Sequence, residues 1–547
     1  MTVHDARADA ANPRNLPTGE AAFDHLAAGF VRSARELPHR PALAIGARSW
    51  SYEELLLAAA AIGETLKKHT AVRAPALTAI FAHRSFSAFA GVLGALLRGH
   101  GYVPLNRKFP VPRSKEMFDR SGCRALVVDT DSVPQLHELL ADAADGVVVV
   151  APELDDVRKL QRCLTRHVVI GRQSLERAGK PELEPPESDV AYLLFTSGST
   201  GRPKGVLVAH SNAAPFARGM AERYGVGPED RCSQTFDLTF DLSVFDLFVA
   251  WERGACVHCL PEKTLVKPGR YLREHELTLW FSVPSTAMFL QRFGMLKPGS
   301  YPSLRWSLFC GEALPVGVAE AWAAAAPRSI VENLYGPTEA TIACTVYRWE
   351  GERSRDESRR GVVPIGHPLP GMSALVVDDE LREVTEGHEG ELLMAGPQVA
   401  LGYLDDPERT RTAFVVPPGQ ERRHYRTGDR VEFGPNGVLH YVGRLDHQVQ
   451  VHGHRVELGE IESAIRDAIG ATEVVALGWP VSDSGVGGIV AFLGGEDAVD
   501  VARLRSDLAV RLPEYMLPRE VHVLPHLPLN PNGKFDRRAL QARLEPA

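Results

Sequence analysis

Small hydroxyl residues and glycines are concentrated in one short stretch of this sequence, just before a lysine. The stretch consists of Thr196, Ser197, Gly198, Ser199, Thr200 and Gly201, and Lys204 follows shortly after it. Such a loop can surround an anion with backbone N–H groups and hydroxyls, while the lysine adds a positive charge. The apolar run 190–195 is typical of a buried strand, which would hold the loop in place. The pattern therefore indicates phosphate binding.

Two other interpretations of this loop are weaker. A flexible Gly/Ser linker has a similar composition, but it would not normally follow a buried strand and end at a stiffening Pro203. A Walker-type loop requires Gly-Lys followed by Ser or Thr, whereas Lys204 is followed by Gly205. The sequence therefore favours a phosphate-binding loop that is not of the Walker type.

The elements that would position this loop have the pattern of an α/β protein. At 547 residues the chain is too long for one core, so we expect two or more domains. Short apolar runs alternate with stretches of helical spacing, which predicts layered parallel sheets. The predicted strands are 42–45, 77–81, 101–105, 125–128 and 147–150, and the predicted helices are 23–37, 52–68 and 85–98.

The pattern of charged, turn-forming and apolar residues changes in the last third of the chain. The charged stretch 348–360 is expected to be a solvated loop, and a turn signal at 434–437 predicts hairpins within 431–451. Helical spacing resumes at 461–469 and 501–512. A small mixed α/β domain of about 100 residues would fit 446–547.

Composition excludes several classes of function. A net charge of −8 and a pI near 6.2 give no basic surface for nucleic acid or an anionic membrane. The N-terminus lacks an apolar signal region, and the weakly polar run 86–97 is too short to span a bilayer. We therefore expect a soluble, cytoplasmic protein without nucleic-acid or membrane partners.

The seven cysteines do not form a recognisable disulfide framework. Cys256 and Cys259 have ligand-like spacing, but a second pair is missing and a structural zinc site needs four ligands. Their apolar neighbours predict a buried strand, so we expect core thiols there.

Further motifs follow the phosphate loop in an order that resembles the adenylate-forming enzyme superfamily. They are Asn333-Leu-Tyr-Gly-Pro-Thr-Glu339, Tyr425-Arg-Thr-Gly-Asp429, Gly443-Arg-Leu-Asp446, Gly453-His-Arg-Val-Glu-Leu-Gly-Glu-Ile-Glu462, Leu512-Pro-Glu-Tyr-Met516 and Asn530-Pro-Asn-Gly-Lys534. With 51–55, 98–105 and 192–205, they cover nearly the whole chain. The most similar branch is the amino-acid adenylation domains of nonribosomal peptide synthetases.

The resemblance implies an α/β fold with two parts. A large N-terminal domain, 1–445, would combine layered βαβ sheets with a distorted β-barrel subdomain. A small mobile α+β C-terminal domain, 446–547, would act as a lid, with Asp446 as its hinge. The implied cofactors are ATP and Mg²⁺.

The resemblance also assigns roles around the nucleotide. Tyr335 would stack on adenine, Asn333 would face its exocyclic amine, Thr338 would touch the α-phosphate and Glu339 would bind Mg²⁺. Asp429 would bind the ribose hydroxyls, Arg444 the phosphates, and Lys534 would be the catalytic lysine that also contacts the substrate carboxylate. Gly311, Glu312, Ala313, Gly336 and Tyr441 complete the expected nucleotide site.

The amino-acid pocket depends on the register of a repeated Phe-Asp-Leu pattern. The resemblance favours Asp241 as the amine anchor, with Asp237 as a near-degenerate alternative. A buried aspartate can pair with an α-ammonium group. The other expected pocket residues are uncharged: Leu242, Phe245, Ser282, Leu308, Cys310, Leu334, Ile342 and Ala343. This composition suits a small neutral amino acid; alanine leads, and serine, cysteine, valine and proline stay open.

The expected reaction makes an aminoacyl adenylate and passes the aminoacyl group to the phosphopantetheine thiol of a carrier protein. Because no carrier segment follows Lys534, we expect the carrier to be a separate chain. Gln450 and His452 stand where the family commonly has cations, which weakens contacts to a pantetheine or CoA phosphate. A ligase acting on an amine of a loaded carrier and an acyl-CoA synthetase are the alternatives. A non-catalytic docking protein would be expected to lack Lys534, Glu339 or Asp429.

Overall fold

The fold is taken from a computed structural model. It describes residues 24–70, 76–179, 181, 183–198, 202–265, 267–446, 448–471, 473–482, 485–495, 499–529 and 535–545.

The strands alternate with helices through most of the chain. The strands are β1 (Pro41–Ile45), β2 (Arg48–Ser51), β3 (Leu77–Phe81), β4 (Gly101–Leu105), β5 (Ala125–Val128), β6 (Val148–Ala151), β7 (Val168–Gly171), β8 (Val190–Thr196), β9 (Lys204–Ala209), β10 (Arg231–Gln234), β11 (Cys256–Cys259), β12 (Leu279–Ser282), β13 (Trp306–Phe309), β14 (Ile330–Tyr335), β15 (Thr345–Arg348), β16 (His367–Pro368), β17 (Ser373–Val377), β18 (Glu389–Ala395), β19 (Gly402–Tyr403), β20 (Phe414–Val415), β21 (His424–Phe433), β22 (Leu439–Arg444), β23 (Gln448–Val451), β24 (His454–Glu457), β25 (Val474–Gly478), β26 (Val481–Ser482), β27 (Gly485–Val486), β28 (Ile489–Gly494) and β29 (Pro518–Leu524).

The helices are mostly short. They are α1 (Ala28–Glu36), α2 (Tyr52–His69), α3 (Phe86–Leu97), α4 (Val111–Ser121), α5 (Leu136–Leu139), α6 (Arg158–Cys163), α7 (His210–Arg223), α8 (Leu242–Val244), α9 (Ala250–Glu252), α10 (Glu262–Leu265), α11 (Gly269–Glu274), α12 (Pro284–Arg292), α13 (Val316–Ala325), α14 (Glu352–Glu357), α15 (Pro407–Ala413), α16 (Leu458–Ile469), α17 (Val501–Ala509) and α18 (Arg537–Ala542). A π-helical turn, Phe245–Val249, joins α8 to α9.

Two large sheets form the body of the fold. One has the strand order β19-β9-β8-β4-β3-β5-β6-β7 and the other β16-β15-β14-β13-β12-β10-β11-β1-β2. Their inner strands are parallel, while antiparallel pairs such as β8/β9 and β14/β15 lie towards the edges. A shared apolar core includes residues of both sheets and of α2 and α3. The predicted layered α/β architecture is therefore confirmed.

Three smaller sheets follow. An open antiparallel sheet of β17, β18, β20, β21 and β22 corresponds to the expected barrel-like subdomain, although it is not a closed barrel. Residues 448–545 contribute the sheets β24-β23-β27-β26 and β25-β28-β29, with their own apolar clusters. The predicted hairpin within 431–451 corresponds to β21 and β22.

The expectation that the charged stretch 348–360 is a solvated loop is wrong for its central part. Residues 352–357 form α14 instead of a solvated loop, because local contacts support a helical turn there. Arg353 pairs with Glu357 one turn away at 3.0 Å, and the buried Ser354 hydroxyl accepts the backbone N–H of Glu350. The hydroxyl of Tyr347 also donates to Glu357 at 2.7 Å.

Cys256 and Cys259 lie on the buried strand β11, and every cysteine of the chain is a free thiol. Within the part of the chain that the structure describes, none of the helices is both long and apolar enough to cross a membrane.

Candidate active site

A cavity of about 500 Å³ opens where the two large sheets, the antiparallel sheet and residues 448–515 meet. Most of the predicted site residues line it. They are Thr196, Ser197, Asp241, Leu242, Cys310, Gly311, Glu312, Ala313, Leu334, Tyr335, Gly336, Thr338, Asp429, Tyr441 and Arg444. The sequence motifs, which are widely spaced in the chain, therefore converge on one space.

The cavity forms at strand ends, where parallel sheets commonly bind ligands. Thr196 ends β8, and Tyr335 ends β14. Cys310 directly follows the end of β13, which pairs with β14 in parallel. The backbone turns away from each sheet at these points and exposes polar groups to a common space.

The remaining predicted residues fall into three groups. Gly198, Lys204, Asn333, Glu339 and the expected hinge Asp446 are described but do not line the cavity. Phe245, Ser282, Leu308, Ile342 and Ala343 are buried and also lie outside its lining. Ser199, Thr200, Gly201 and Lys534 lie outside the described residues.

Asp241 is a buried carboxylate with an unused oxygen. It directly precedes α8, and its Oδ2 atom is buried without a hydrogen-bond partner. Burial raises the pKa of Asp241 to about 7, although the Thr338 hydroxyl acts in the opposite direction. Leaving a buried carboxylate oxygen unpaired costs free energy, so this position is suited to a cationic ligand.

Asp237, the alternative anchor, is fully engaged within the protein. Nδ1 of His83 lies 2.8 Å from its Oδ2, and the Thr239 hydroxyl and backbone N–H bond its Oδ1 at 2.6 and 3.0 Å. Although burial alone would raise the pKa of Asp237, His83 and Thr239 hold it well below its usual range. The geometry therefore favours Asp241 over Asp237.

The backbone beside Asp241 is strained. Thr341 and Ile342 adopt φ angles of +54° and +73°, which are rare for residues with β-branched side chains. The buried amide of Gln398 holds this segment by donating to the carbonyl of Ala343 at 2.6 Å and of Thr341 at 3.1 Å. Strained backbone is concentrated at functional sites. Sequence reasoning missed Gln398, because its contact depends on the tertiary fold.

Glu339 is completely buried and paired with two cations. Its Oε1 lies 3.2 Å from Nζ of Lys204, and its Oε2 lies 3.3 Å from the guanidinium of Arg455. The hydroxyl of Tyr403 donates to Oε1 at 2.8 Å. Although burial alone would raise the pKa of Glu339, Lys204 and Arg455 hold it well below its usual range.

The phosphate loop contacts the C-terminal part of the chain directly. The Ser197 hydroxyl donates to the Arg455 carbonyl at 2.7 Å and accepts the backbone N–H of Glu457 at 3.2 Å. The backbone N–H of Gly198 donates to Oε2 of Glu460 at 3.3 Å. Oε1 of Glu460 pairs with Arg113 at 2.5 Å, and both side chains are buried. Both Arg455 and Glu460 belong to the motif 453–462, and nothing in the sequence alone indicates these contacts.

On the opposite wall of the cavity, polar contacts connect Tyr335 to Asp429, Arg444 and Asp446. The Tyr335 hydroxyl donates to Oδ2 of Asp429 at 2.5 Å, and Arg444 donates to Oδ1 at 2.9 Å. Arg444 also bonds Asp446 through Nε at 2.9 Å. Nearby, Asn333 donates its amide to the carbonyl of Pro364 at 2.9 Å, while its buried Oδ1 has no partner.

Comparison with known proteins assigns this arrangement to a recognised group. Residues 30–404 match the AMP-binding enzyme family. Phosphinothricin tripeptide synthetase PhsC of Streptomyces viridochromogenes is 34% identical over 93% of this chain, and the match spans 44% of that protein. Tyrocidine synthase 3 of Brevibacillus parabrevis is 31% identical over 99% of this chain, which corresponds to 8% of its length. The chain thus spans less than half the length of these curated relatives.

A solved structure resembles nearly the whole chain. The Vibrio cholerae adenylation domain AlmE, crystallised with glycyl-adenosine-5′-phosphate, matches with a TM-score of 0.86 and 31% identity. The match covers 97% of this chain and 99% of that one.

Proposed function

This chain belongs to the AMP-binding enzyme family, and we propose that it converts a small neutral amino acid into an aminoacyl adenylate. Its relatives identify it as an ATP-dependent, AMP-forming ligase of the nonribosomal peptide synthetase adenylation type that activates amino acids. The finer points, which are the substrate, the acceptor and the roles of individual residues, belong to the proposal.

The observation that carries the proposal is the unpaired carboxylate oxygen of Asp241. An α-ammonium group placed against Oδ2 would pair with the carboxylate and relieve the cost of burying it. A fatty or aryl acid has no cation to offer there. The cavity therefore favours an amino acid over a simple carboxylic acid.

The side chain of the substrate would meet apolar walls. Leu242, Cys310 and Leu334 line the cavity and carry no charge. This environment supports a small neutral side chain, with alanine as the leading candidate. AlmE, the structural relative, was crystallised with a glycyl adenylate, so a small substrate occurs on a similar fold.

The nucleotide would lie along the wall that carries Tyr335 and Asp429. Asp429 already accepts two hydrogen bonds, and a carboxylate has capacity for further donors such as ribose hydroxyls. The buried Oδ1 of Asn333 lacks a donor, which suits the exocyclic amine of adenine. These two acceptors support the predicted placement of ATP.

Glu339 is suited to Mg²⁺ in company with phosphate oxygens. The described residues contain no group of three or more His, Cys, Asp or Glu side chains that could hold a metal ion. Mg²⁺ in nucleotide sites commonly takes one or two protein carboxylates together with phosphate oxygens and water. The ionised Glu339 meets this need, and a bound Mg²⁺ would neutralise phosphate charge.

The proposed reaction has two steps. The substrate carboxylate attacks the α-phosphorus of ATP, pyrophosphate leaves, and an aminoacyl adenylate forms. Lys204 and backbone N–H groups of the phosphate loop would stabilise the negative charge, and Lys534 remains the predicted catalytic lysine. A phosphopantetheine thiol of a carrier protein then attacks the carbonyl carbon and releases AMP.

We assign the second step to residues 446–547 as a domain that turns about Asp446. Their own sheets and apolar clusters support an independent unit. The neutral Gln450 lies in the cavity wall, and burial lowers the pKa of His452 below its usual value. Because neither residue offers a fixed positive charge, a carrier-bound pantetheine suits this region better than free CoA.

Carboxylate-dependent exchange of pyrophosphate into ATP tests the proposal. The panel contains the twenty amino acids together with β-amino, aryl and fatty acids. We expect exchange with a small neutral amino acid, led by alanine. Preferential exchange with an aryl or fatty acid would refute amino-acid activation.

A further inference from the structure

We propose that Arg409 binds the terminal phosphates of ATP and holds the departing pyrophosphate at the phosphate loop. Its Nη1 atom lies 3.7 Å from the position that a Cβ on Gly198 would take, so the guanidinium lies against the backbone of this loop. Arg409 belongs to α15, far from the loop in the chain, and none of the motifs described above includes it. This inference rests on the proposed function of the loop in binding ATP phosphates.

The strand that follows the phosphate loop holds Arg409 beside it. This strand, β9, begins at Lys204 and pairs in antiparallel orientation with β19, which precedes α15. The Thr410 hydroxyl accepts the backbone N–H of Tyr403 at 3.0 Å and donates to the carbonyl of Asp406 at 2.8 Å, which ties α15 to β19. The backbone position of Arg409 is therefore fixed relative to the end of the loop before a ligand binds.

The guanidinium of Arg409 is only weakly neutralised by its neighbours. Among the residues that the structure describes, Arg409 forms one ion pair, in which its Nε lies 3.6 Å from Oδ2 of Asp406. Glu460, whose Oε2 accepts the backbone N–H of Gly198, is already paired with Arg113 through Oε1. The side chain of Arg409 is 24% exposed, so a ligand can reach it. The planar fork of donors in a guanidinium matches the oxygens of a phosphate group.

The lysine at the end of the loop cannot supply this charge alone. Nζ of Lys204 lies 3.2 Å from Oε1 of Glu339, so the pair adds little net positive charge. Cations that clamp phosphate oxygens stabilise the charge that develops when pyrophosphate leaves. Arg409 lies outside the cavity lining, whereas Tyr335 and Asp429, at the proposed nucleoside end, belong to it. The inferred contact is therefore with the terminal phosphates and not with the α-phosphate that AMP retains.

Calorimetric titration with magnesium ATP and with AMP tests this assignment. Arg409→Gln removes the charge but keeps a polar side chain, so it should bind magnesium ATP at least about fivefold more weakly than the wild type. Arg411→Gln is the matched control, because it removes the same charge from an exposed position of the same helix. AMP lacks the terminal phosphates, so the wild type and both variants should bind it equally.

The reverse reaction, which makes ATP from the adenylate and pyrophosphate, gives an independent measurement. Arg409→Gln should raise the KM for pyrophosphate at least about fivefold and leave the KM for the adenylate unchanged. Equal binding of magnesium ATP by Arg409→Gln and Arg411→Gln, or an unchanged KM for pyrophosphate, would overturn the inference. An equal loss of affinity for AMP in Arg409→Gln would also overturn it, because it would indicate a structural role. A wild-type protein that binds no magnesium ATP would refute the proposed function itself.

Discussion

Arg444 donates from Nη1 to Oδ1 of Asp429 at 2.9 Å, and the same carboxylate accepts the hydroxyl of Tyr335 through Oδ2. The other edge of the guanidinium holds Asp446. The expected ribose ligand and the expected hinge residue are therefore connected through one side chain. With the roles proposed for Asp429 and Asp446, this connection would link nucleotide binding to the position of the C-terminal part.

Replacing Asp429 should weaken ATP binding. Asp429→Ala removes the proposed acceptor for the ribose, the carboxylate that accepts the Tyr335 hydroxyl and one of the acceptors of Arg444. Hydrogen bonds to a charged group are worth about 1.5–3 kcal/mol, so the KM for ATP should rise about 10- to 100-fold. ATP dependence of pyrophosphate exchange measures this effect. Glu380→Ala, at an exposed position, serves as the control, and an equal KM for both variants would contradict the assignment.

Gly453 should be required for aminoacyl transfer more than for adenylation. Its φ angle is +82°, and an added Cβ would lie 2.5 Å from Cγ1 of Val283 in the large N-terminal part. Gly453→Ala should therefore disfavour the arrangement seen here, in which Gly453 packs against Val283, and should slow transfer to a pantetheine thiol at least about tenfold, while exchange persists. Transfer is measured in single turnover with preformed adenylate.

Gly470→Ala is the matched control for that variant. Gly470 also has a positive φ angle, +67°, but an added Cβ there meets nothing within 4 Å. Gly470→Ala therefore introduces similar backbone strain but no contact between the C-terminal part and the large N-terminal part. If both variants slow transfer equally, backbone strain alone explains the effect and the contact with Val283 has no special role.

The pH dependence of amino-acid activation should follow Asp241. Its pKa is raised to about 7, so the free carboxyl is increasingly protonated below that pH and cannot pair with an ammonium group. We expect kcat/KM for the amino acid to fall about tenfold per pH unit below pH 7. The same shift makes the unliganded protein lose stability as pH rises towards 7, because the folded state binds this proton more tightly. A flat kcat/KM profile between pH 5.5 and 8 would disagree with both the pKa and the role.

Leu242 should limit the size of the substrate side chain. It lines the cavity, so Leu242→Ala should shift preference from alanine towards a larger apolar amino acid by about 10- to 100-fold in relative kcat/KM. Leu247→Ala removes another buried leucine, from the adjoining π-helical turn, without changing the cavity wall. Its selectivity should match that of the wild type. Equal selectivity in both variants would place the substrate elsewhere.

Local patterns in the sequence predicted much of the fold. The apolar run before the phosphate loop became β8, and the alternating runs of 42–150 became parallel strands, because short buried strands are bounded by recognisable turn residues. The charged stretch around α14 misled the interpretation, since its helix depends on pairs such as Arg353 with Glu357 and on anchoring by Tyr347.

The site was predictable only in part. The resemblance favours Asp241 over Asp237, but the pairing of Asp237 with His83, which is 154 positions away, could not be predicted from the sequence. Packing also decides which of the predicted pocket residues reach the cavity. Phe245 was predicted to line the pocket, but it packs against Phe281 with 4.5 Å between the ring centres and lies outside the cavity lining. Contacts of Arg455 and Glu460 cross the two parts of the chain, and no local pattern reveals them.

The central claim is that Asp241 recognises the ammonium group of the substrate. The most direct measurement compares exchange supported by alanine with exchange supported by propionate, in the wild type and in Asp241→Asn. The wild type should prefer alanine strongly, and the variant should lose most of that preference through a lower kcat/KM for alanine alone. An unchanged preference in Asp241→Asn would contradict the account.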